Sequence, residues 1–264
     1  MRLPIYQVDA FADAAFRGNP AAIVPLQSWL PDGTLQAIAA ENNLAETAFF
    51  VPQSDGRYHL RWFTPEVEVD LCGHATLATA WLLLNTLAPH LRKVDFETRS
   101  GLLSVALEGE SGRLEMDFPA RPPAPVVPCA GLIEAIGAKP AAILAARDYL
   151  LVYEDAETLR NLKPDMAGLM RIDRFAVIAT APGDEPGIDC VSRFFAPAKG
   201  IPEDPVTGSA HCTIVPYWSE RLGRNTIHAY QASKRGGHLY CRLDGDRVRM
   251  AGSCVPYLEG SITV

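Results

Sequence analysis

Asp70-Leu71-Cys72-Gly73-His74-Ala75-Thr76 runs directly into an apolar block at 77–84, and the reading of that junction decides the fold. A polar, glycine-containing turn that feeds a helix leaves several backbone N–H groups without partners inside the helix, so it suits a carboxylate or a phosphate. The block behind it is apolar all round. Such a helix must be covered on every side, which calls for a sheet wrapped around it. A second junction, Asp204-Pro205-Val206-Thr207-Gly208-Ser209-Ala210-His211-Cys212, again leads into an apolar block, 213–218. Two such turns predict a paired site that takes one small carboxylate or sulfate.

The flanking segments repeat as well. Arg61-Trp62-Phe63-Thr64-Pro65 precedes the first turn as Arg193-Phe194-Phe195-Ala196-Pro197 precedes the second, and 101–109 is echoed by 237–245. Arg113-Leu114-Glu115-Met116 and Arg247-Val248-Arg249-Met250 close the two series. Elements in the same order at similar spacing indicate a tandem duplication of about half the chain, not a solenoid of short repeats. In the first half, alternation predicts strands at 3–11, 21–25, 47–51 (opened by Glu46), 58–64, 102–107 and 113–118, with a helix at 33–42 capped by Asp32 and the long apolar helix at 73–84. In the second half it predicts helices at 131–137, 141–147 and 156–161 and strands at 149–153 and 174–180. Pro119-Ala120-Arg121-Pro122-Pro123-Ala124-Pro125-Val126-Val127-Pro128 has too many prolines for a central strand or a helix and reads as an extended linker. The expected domains are therefore 1–118 and 129–264, the last strand being free to pack back on the first domain. They should face each other across a cleft, a preferred place for a small-molecule site.

At 264 residues and 48% hydrophobic content the chain is long enough to bury large cores. A net charge of -7 with scattered Lys and Arg argues against a nucleic-acid or anionic-membrane partner and for a small molecule. Asp9 and Asp13 stand where a signal peptide needs an apolar core, and no apolar run is long enough to span a bilayer, so a cytoplasmic protein is expected. The six cysteines show no Cys-x-x-Cys spacing and read as free buried thiols.

Gly18-Asn19-Pro20, Asn43-Leu44-Ala45-Glu46-Thr47 and the two turns together resemble, in order and spacing, the PhzF-type phenazine-biosynthesis isomerases, over nearly the whole chain. The resemblance implies an α+β, diaminopimelate epimerase-like fold: two pseudo-symmetric domains, each a mixed β-sheet curled around a central helix, with the active site between them. It implies an isomerase of the dihydro-hydroxyanthranilate type that moves a proton between carbons without a cofactor or a metal, and it implies a homodimer. Glu46 matches the proton shuttle, assisted by His74 and Asp204. Gly73, Gly208 and Ser209 match substrate-binding positions, and Asn19 is placed with them.

The residues themselves carry the same chemistry. Glu46 precedes Thr47-Ala48-Phe49-Phe50, and a carboxyl group in an apolar cleft can both take and return a proton near neutral pH. Helix N-termini could pin a carboxylate and stabilise developing negative charge. Blander readings stand beside these. Glu46 could be solvated surface, His74 could cap a turn, and Asp70 and Asp204 could merely complement helix dipoles; for Asp70 that reading is kept. Cys72, His74, His211 and Cys212 are metal-ligand types, but their spacing is unlike ordinary zinc sites. His90, His228 and His238 have no company that suggests a role. An amino-acid racemase or epimerase built on Cys72 lacks an opposing cysteine, because the matching region reads Asp204-Pro205-Val206-Thr207. A Cys72–His74 hydrolase fails because residues two apart at a helix start do not readily face each other. A non-catalytic small-molecule binding protein is the remaining alternative.

Overall fold

The computed structural model describes residues 1–264, which form two compact units: Met1–Asp117 with Ala251–Val264, and Phe118–Met250. No helix is long and apolar enough to cross a membrane.

The first unit contains β1 (Arg2–Ala10), β2 (Asn19–Pro25), α1 (Asp32–Asn42), β3 (Glu46–Pro52), β4 (Tyr58–Phe63), β5 (Glu68–Val69), α2 (Gly73–Leu82), β6 (Lys93–Thr98), β7 (Gly101–Leu107) and most of β8 (Leu114–Pro119), together with the C-terminal strand Cys254–Thr263. That strand lies antiparallel to β1. From β1 onward the pairing runs antiparallel to β2, parallel to β3, antiparallel to β4, parallel to β6, then antiparallel to β7 and β8. Parallel neighbours need a crossover, and α1 and α2 supply the two. Helix α2 touches β1, β2, β3 and β7, and it is buried along almost its whole length. Ala75, Ala78 and Ala80 keep it slim, while the buried hydroxyls of Thr76 and Thr79 donate to the carbonyls of Cys72 and Ala75 at 2.5 and 2.7 Å. On the other face, Leu35, Ile38 and Ala39 of α1 pack against Leu3, Val24, Phe49 and Phe63. Strand alternation then fixes directions: Val24 and Phe49 face α1, so Asn19, Ala21 and Glu46 face α2.

The second unit contains β9 (Ala124–Pro125), α3 (Leu132–Ile136), β10 (Ala142–Ala145), β11 (Tyr149–Val152), α4 (Ala156–Arg160), α5 (Met166–Leu169), β12 (Val177–Pro182), β13 (Cys190–Phe195), α6 (Gly208–Leu222), β14 (Thr226–Gln231), β15 (Gly237–Asp244) and most of β16 (Arg247–Gly252). From β10 the pairing is antiparallel to β11, parallel to β12, antiparallel to β13, parallel to β14 and antiparallel to β15. This is the order seen from β1 in the first unit, with α6 in the crossover that α2 occupies there. Both units thus carry the same mixed sheet and central helix.

Several expectations are corrected. The segment 141–147 is the strand β10, held by β9 on one side and β11 on the other, so pairing overrides its alanine-rich helical preference. The proline-rich segment, expected as an extended linker between domains, is hydrogen-bonded to the second unit. Ala120 N–H donates to the Asp246 carbonyl and Arg121 N–H to the Cys212 carbonyl, both at 2.8 Å. The second bond has a cause in α6: Pro216 lacks the N–H that would reach the Cys212 carbonyl four residues back, and Arg121 supplies one instead. The second unit takes in 118–128, and the C-terminal strand, which the expected division left free to pack back on the first domain, pairs along all of β1. Helix α2 stops at Leu82 and passes into a π-helical turn, Leu83–Leu87. Pro31, not Asp32, caps α1; the Asp32 carboxylate is 2.9 Å from Arg61. Strand β6 was not foreseen.

Candidate active site

In the first unit the polar residues on the α2 face of the sheet meet the start of α2. Gly18 has φ +66°, and a Cβ there would lie 2.1 Å from the Ala10 carbonyl oxygen, so only glycine lets the chain enter β2 at Asn19. Asn19 is buried and its Nδ2 lies 3.2 Å from His74 Nδ1. Glu46, the first residue of β3, is buried, and its Oε2 lies 3.1 Å from His74 Nε2. The approach is bent rather than linear, an electrostatic contact of the kind that tightens when a substrate binds. Cys72 is the N-cap of α2 in an extended conformation (φ -141°, ψ 113°), and that turn brings its Sγ to 3.5 Å from His74 Nδ1. Residues two apart do therefore meet here, because one of them lies outside the helix.

Burial pushes the Cys72 thiol up to about 11, and the Glu46 carboxylate adds to the effect, so it is a thiol at neutral pH. Burial alone would push the His74 imidazole down, but its interactions with the Cys72 sulfur and the Glu46 carboxylate outweigh it and hold it well above the usual histidine value. A neutral ring with Nδ1 accepting from Asn19 and a fully protonated ring both place a hydrogen on Nε2, toward Glu46.

The second unit builds a different set around the start of α6. Asp204 is buried, and its Oδ2 accepts the Thr207 hydroxyl at 2.5 Å. Gln231 on β14 takes the Thr207 N–H at 2.8 Å and donates to the Asp204 carbonyl at 2.8 Å. Ser209 Oγ receives Arg147 Nη2 at 3.3 Å. That guanidinium pairs with the buried Asp148 at 2.8 Å and lies 4.4 Å over the Phe175 ring. His211 Nδ1 donates to the Thr207 carbonyl at 2.8 Å, and burial pushes the imidazole down to about 4, so it is neutral.

Of the residues singled out in the sequence, Asn19, Glu46, Gly73 and His74 gather in the first unit, and Asp204, Gly208 and Ser209 in the second. Asp70 caps nothing: it is exposed, with Arg99 3.8 Å away. Arg147, Asp148, Thr207 and Gln231 were given no role. Arg147 was within reach of the duplication, since Arg147-Asp148 opens β11 as Arg17-Gly18 opens β2, whereas Gln231 carries no local signal. His228 and His238 do have company: His228 Nε2 lies 3.2 Å from His238 Nδ1, and its ring stacks on Tyr240.

Glu46, Cys72 and His74 bring an oxygen, a sulfur and a nitrogen within 4.8 Å of one another, a possible metal triad by composition. The geometry does not suit one. The sulfur lies at Nδ1 and the carboxylate at Nε2, and a single cation in the plane of the imidazole meets only one of these nitrogens. His211 and Cys212, the other candidates, are turned to other duties: His211 holds the Thr207 carbonyl, and burial pushes the Cys212 thiol up to about 11.

With this geometry in place, similarity to known proteins is informative. The family model for phenazine biosynthesis-like proteins, PhzC-PhzF, matches residues 8–260. An uncharacterised isomerase of Pseudomonas aeruginosa is 52% identical over 262 residues, 99% of each chain. A PhzF-family phenazine biosynthesis protein from Enterococcus faecalis matches in structure with a TM-score of 0.95 at 43% identity, covering 100% of both chains. A predicted epimerase of Pseudomonas aeruginosa, 23% identical and covering 99% of both chains, is similar in fold, with a TM-score of 0.74.

Proposed function

The chain belongs to the PhzC-PhzF phenazine biosynthesis-like family, and from that premise we propose that it is an isomerase, one that moves a proton between carbons of a small carboxylate-bearing metabolite. The observation that carries the reading is the buried Glu46 carboxylate on the α2 face of the sheet, with His74 Nε2 at 3.1 Å. The Glu46 carboxylate takes a proton from carbon, and the electron pair left behind spreads over the adjoining double bond. Glu46, now a carboxylic acid whose proton exchanges with solvent, returns a proton to the far end of that system. Nothing is oxidised or reduced, and no group leaves. His74 steadies the carboxylate from Nε2, while Asn19 orients the ring from Nδ1. The N–H groups of Gly73 and His74 at the start of α2 face developing negative charge with the positive end of a helix dipole. Asp204 assists the transfer, and Gly208 and Ser209 hold the substrate.

Cys72 is a weaker candidate for the base. A two-thiol epimerase needs a thiolate, whereas burial and Glu46 hold this one protonated, and the equivalent N-cap in the second unit is Thr207. The homodimer and a cytoplasmic setting belong to the same proposal.

The deciding experiment is incubation in deuterated buffer with dihydro-hydroxyanthranilate and then with a panel of unsaturated carboxylates, scored by mass for deuterium at carbon. Uptake by the wild-type protein and none by Glu46→Gln is expected. Equal uptake by both would remove Glu46 from the mechanism.

A further inference from the structure

Asp204 is held by a set of hydrogen bonds to which the proton transfer gives no part. Thr207 is the N-cap of α6, and threonine at that position ordinarily turns its hydroxyl back to the first helical turn. Here it makes no such bond; the hydroxyl donates to Asp204 Oδ2 at 2.5 Å. Cys72 occupies the same position in the first repeat, also extended and also without a capping bond, and its side chain turns to His74. In both repeats the capping side chain is diverted to an ionisable group.

The direction of the Thr207 hydroxyl follows from Gln231, which is fully buried. The Thr207 backbone N–H can only donate, so the amide must present Oε1 to it, at 2.8 Å. That leaves Nε2 to donate to the Asp204 carbonyl at 2.8 Å and to Thr207 Oγ1 at 3.1 Å. With a donor already on Oγ1, its single hydrogen goes to Asp204. The Thr207 carbonyl is fixed in turn by His211 Nδ1 at 2.8 Å, so every polar atom of Thr207 is committed.

We propose that Gln231 and Thr207 are positioning residues for Asp204: the amide sets the hydroxyl, and the hydroxyl sets the carboxylate for proton transfer. The inference rests on the reading of Asp204 as an assisting group. A Gln231 that only fastened β14 to the start of α6 would make the same bonds to backbone but would have no effect on the carboxylate.

The test uses the full chain with 13C-labelled aspartate, the Asp204 carboxyl resonance being assigned by its loss in Asp204→Asn. Four variants are compared: Thr207→Val, Thr207→Ser, Gln231→Met and Gln231→Glu. The last keeps the acceptor for the Thr207 N–H but offers the hydroxyl a second carboxylate. The resonance is expected to move in Thr207→Val and in both Gln231 variants, though Gln231 does not touch the carboxylate, and to stay in Thr207→Ser. In the deuterium assay kcat should fall about ten- to a hundredfold in Thr207→Val, as for a lost hydrogen bond to a charged group, with KM within about twofold and recovery in Thr207→Ser. A resonance unmoved in folded Gln231→Glu, or an unchanged kcat in Thr207→Val, overturns the proposal. Failure of the isomerase reading shows separately, as absence of deuterium uptake by the wild-type protein; the resonance then decides the coupling alone.

Discussion

Glu46 faces α2 because strand period 2 puts Phe49, three residues on, against α1, and that one fact separates a buried carboxylate from a surface one. Glu46→Gln preserves the shape and removes the basic oxygen. Its kcat should drop by about 10²–10⁴, the usual worth of general acid–base catalysis, with the melting temperature little changed; a wild-type rate would exclude the shuttle. Cys72→Ser should keep most of the activity, because the thiol is pushed up to about 11 and only roughly one molecule in ten thousand is a thiolate at pH 7. Slow labelling of Cys72 by a thiol reagent at pH 7 checks the same point, and rapid labelling would revive the epimerase reading. Asn19, Glu46 and His74 were legible in the sequence because each sits in a short motif beside a turn or an element start. Thr207 was visible in its motif but not its partner, since Gln231 arrives from a strand that only the tertiary fold brings near.

Helix α6 carries two further consequences. His211 is held at about 4 against 6.5 for the free side chain, so as pH falls the unfolded chain takes up this proton before the native one does. Its contribution to stability is complete above about pH 6.5 and is lost as pH falls toward 4, by up to about 3 kcal/mol. His74, raised instead, works the other way, its contribution being lost as pH rises through its folded value. Comparing urea unfolding of the wild type with His211→Asn isolates the first effect: the variant should lose less stability between pH 6.5 and 4.5. Parallel curves would mean that His211 is not buried as a neutral base. The second consequence lies at Pro216, whose missing N–H gives Arg121 its partner. The amides of Ala120 and Arg121 should therefore resist hydrogen exchange despite their proline-rich neighbourhood, whereas a free linker would exchange at once. Proline content alone could not foretell this, because the acceptor is a carbonyl freed by another proline in a distant helix. The strand at 142–145 failed for a related reason: alanine favours helix only by fractions of a kcal/mol, which pairing on two edges outweighs. Strand β6 was readable, since Val94, Phe96 and Thr98 alternate with Lys93, Asp95 and Glu97, but its charges hid it.

The duplication was legible because the repeated motifs keep their order, and the pairing pattern bears them out strand by strand. The first unit is discontinuous, as the expectation that the last strand was free to pack back on the first domain allowed. Residues 251–264 follow the second repeat directly, yet they pair with β1 from Arg2↔Thr263 to Ala10↔Cys254, with one irregularity between Gln7 and Val8. Ile262 packs against the α1 cluster from that strand. A strand that closes a sheet in this way supplies backbone partners along a whole edge, and removing it exposes the unpaired N–H and C=O groups of β1. Truncation after Gly252 should therefore leave residues 118–250 folded while β1 and α1 become open to proteolysis, with cleavage concentrated before residue 50. The alternative, that the C-terminal strand only decorates a complete sheet, expects the truncated chain to resist protease throughout and to melt as the full chain does. A mixed outcome is not expected, because α1 packs on the sheet face that Leu3 of β1 helps to form; loss of that strand should open both together.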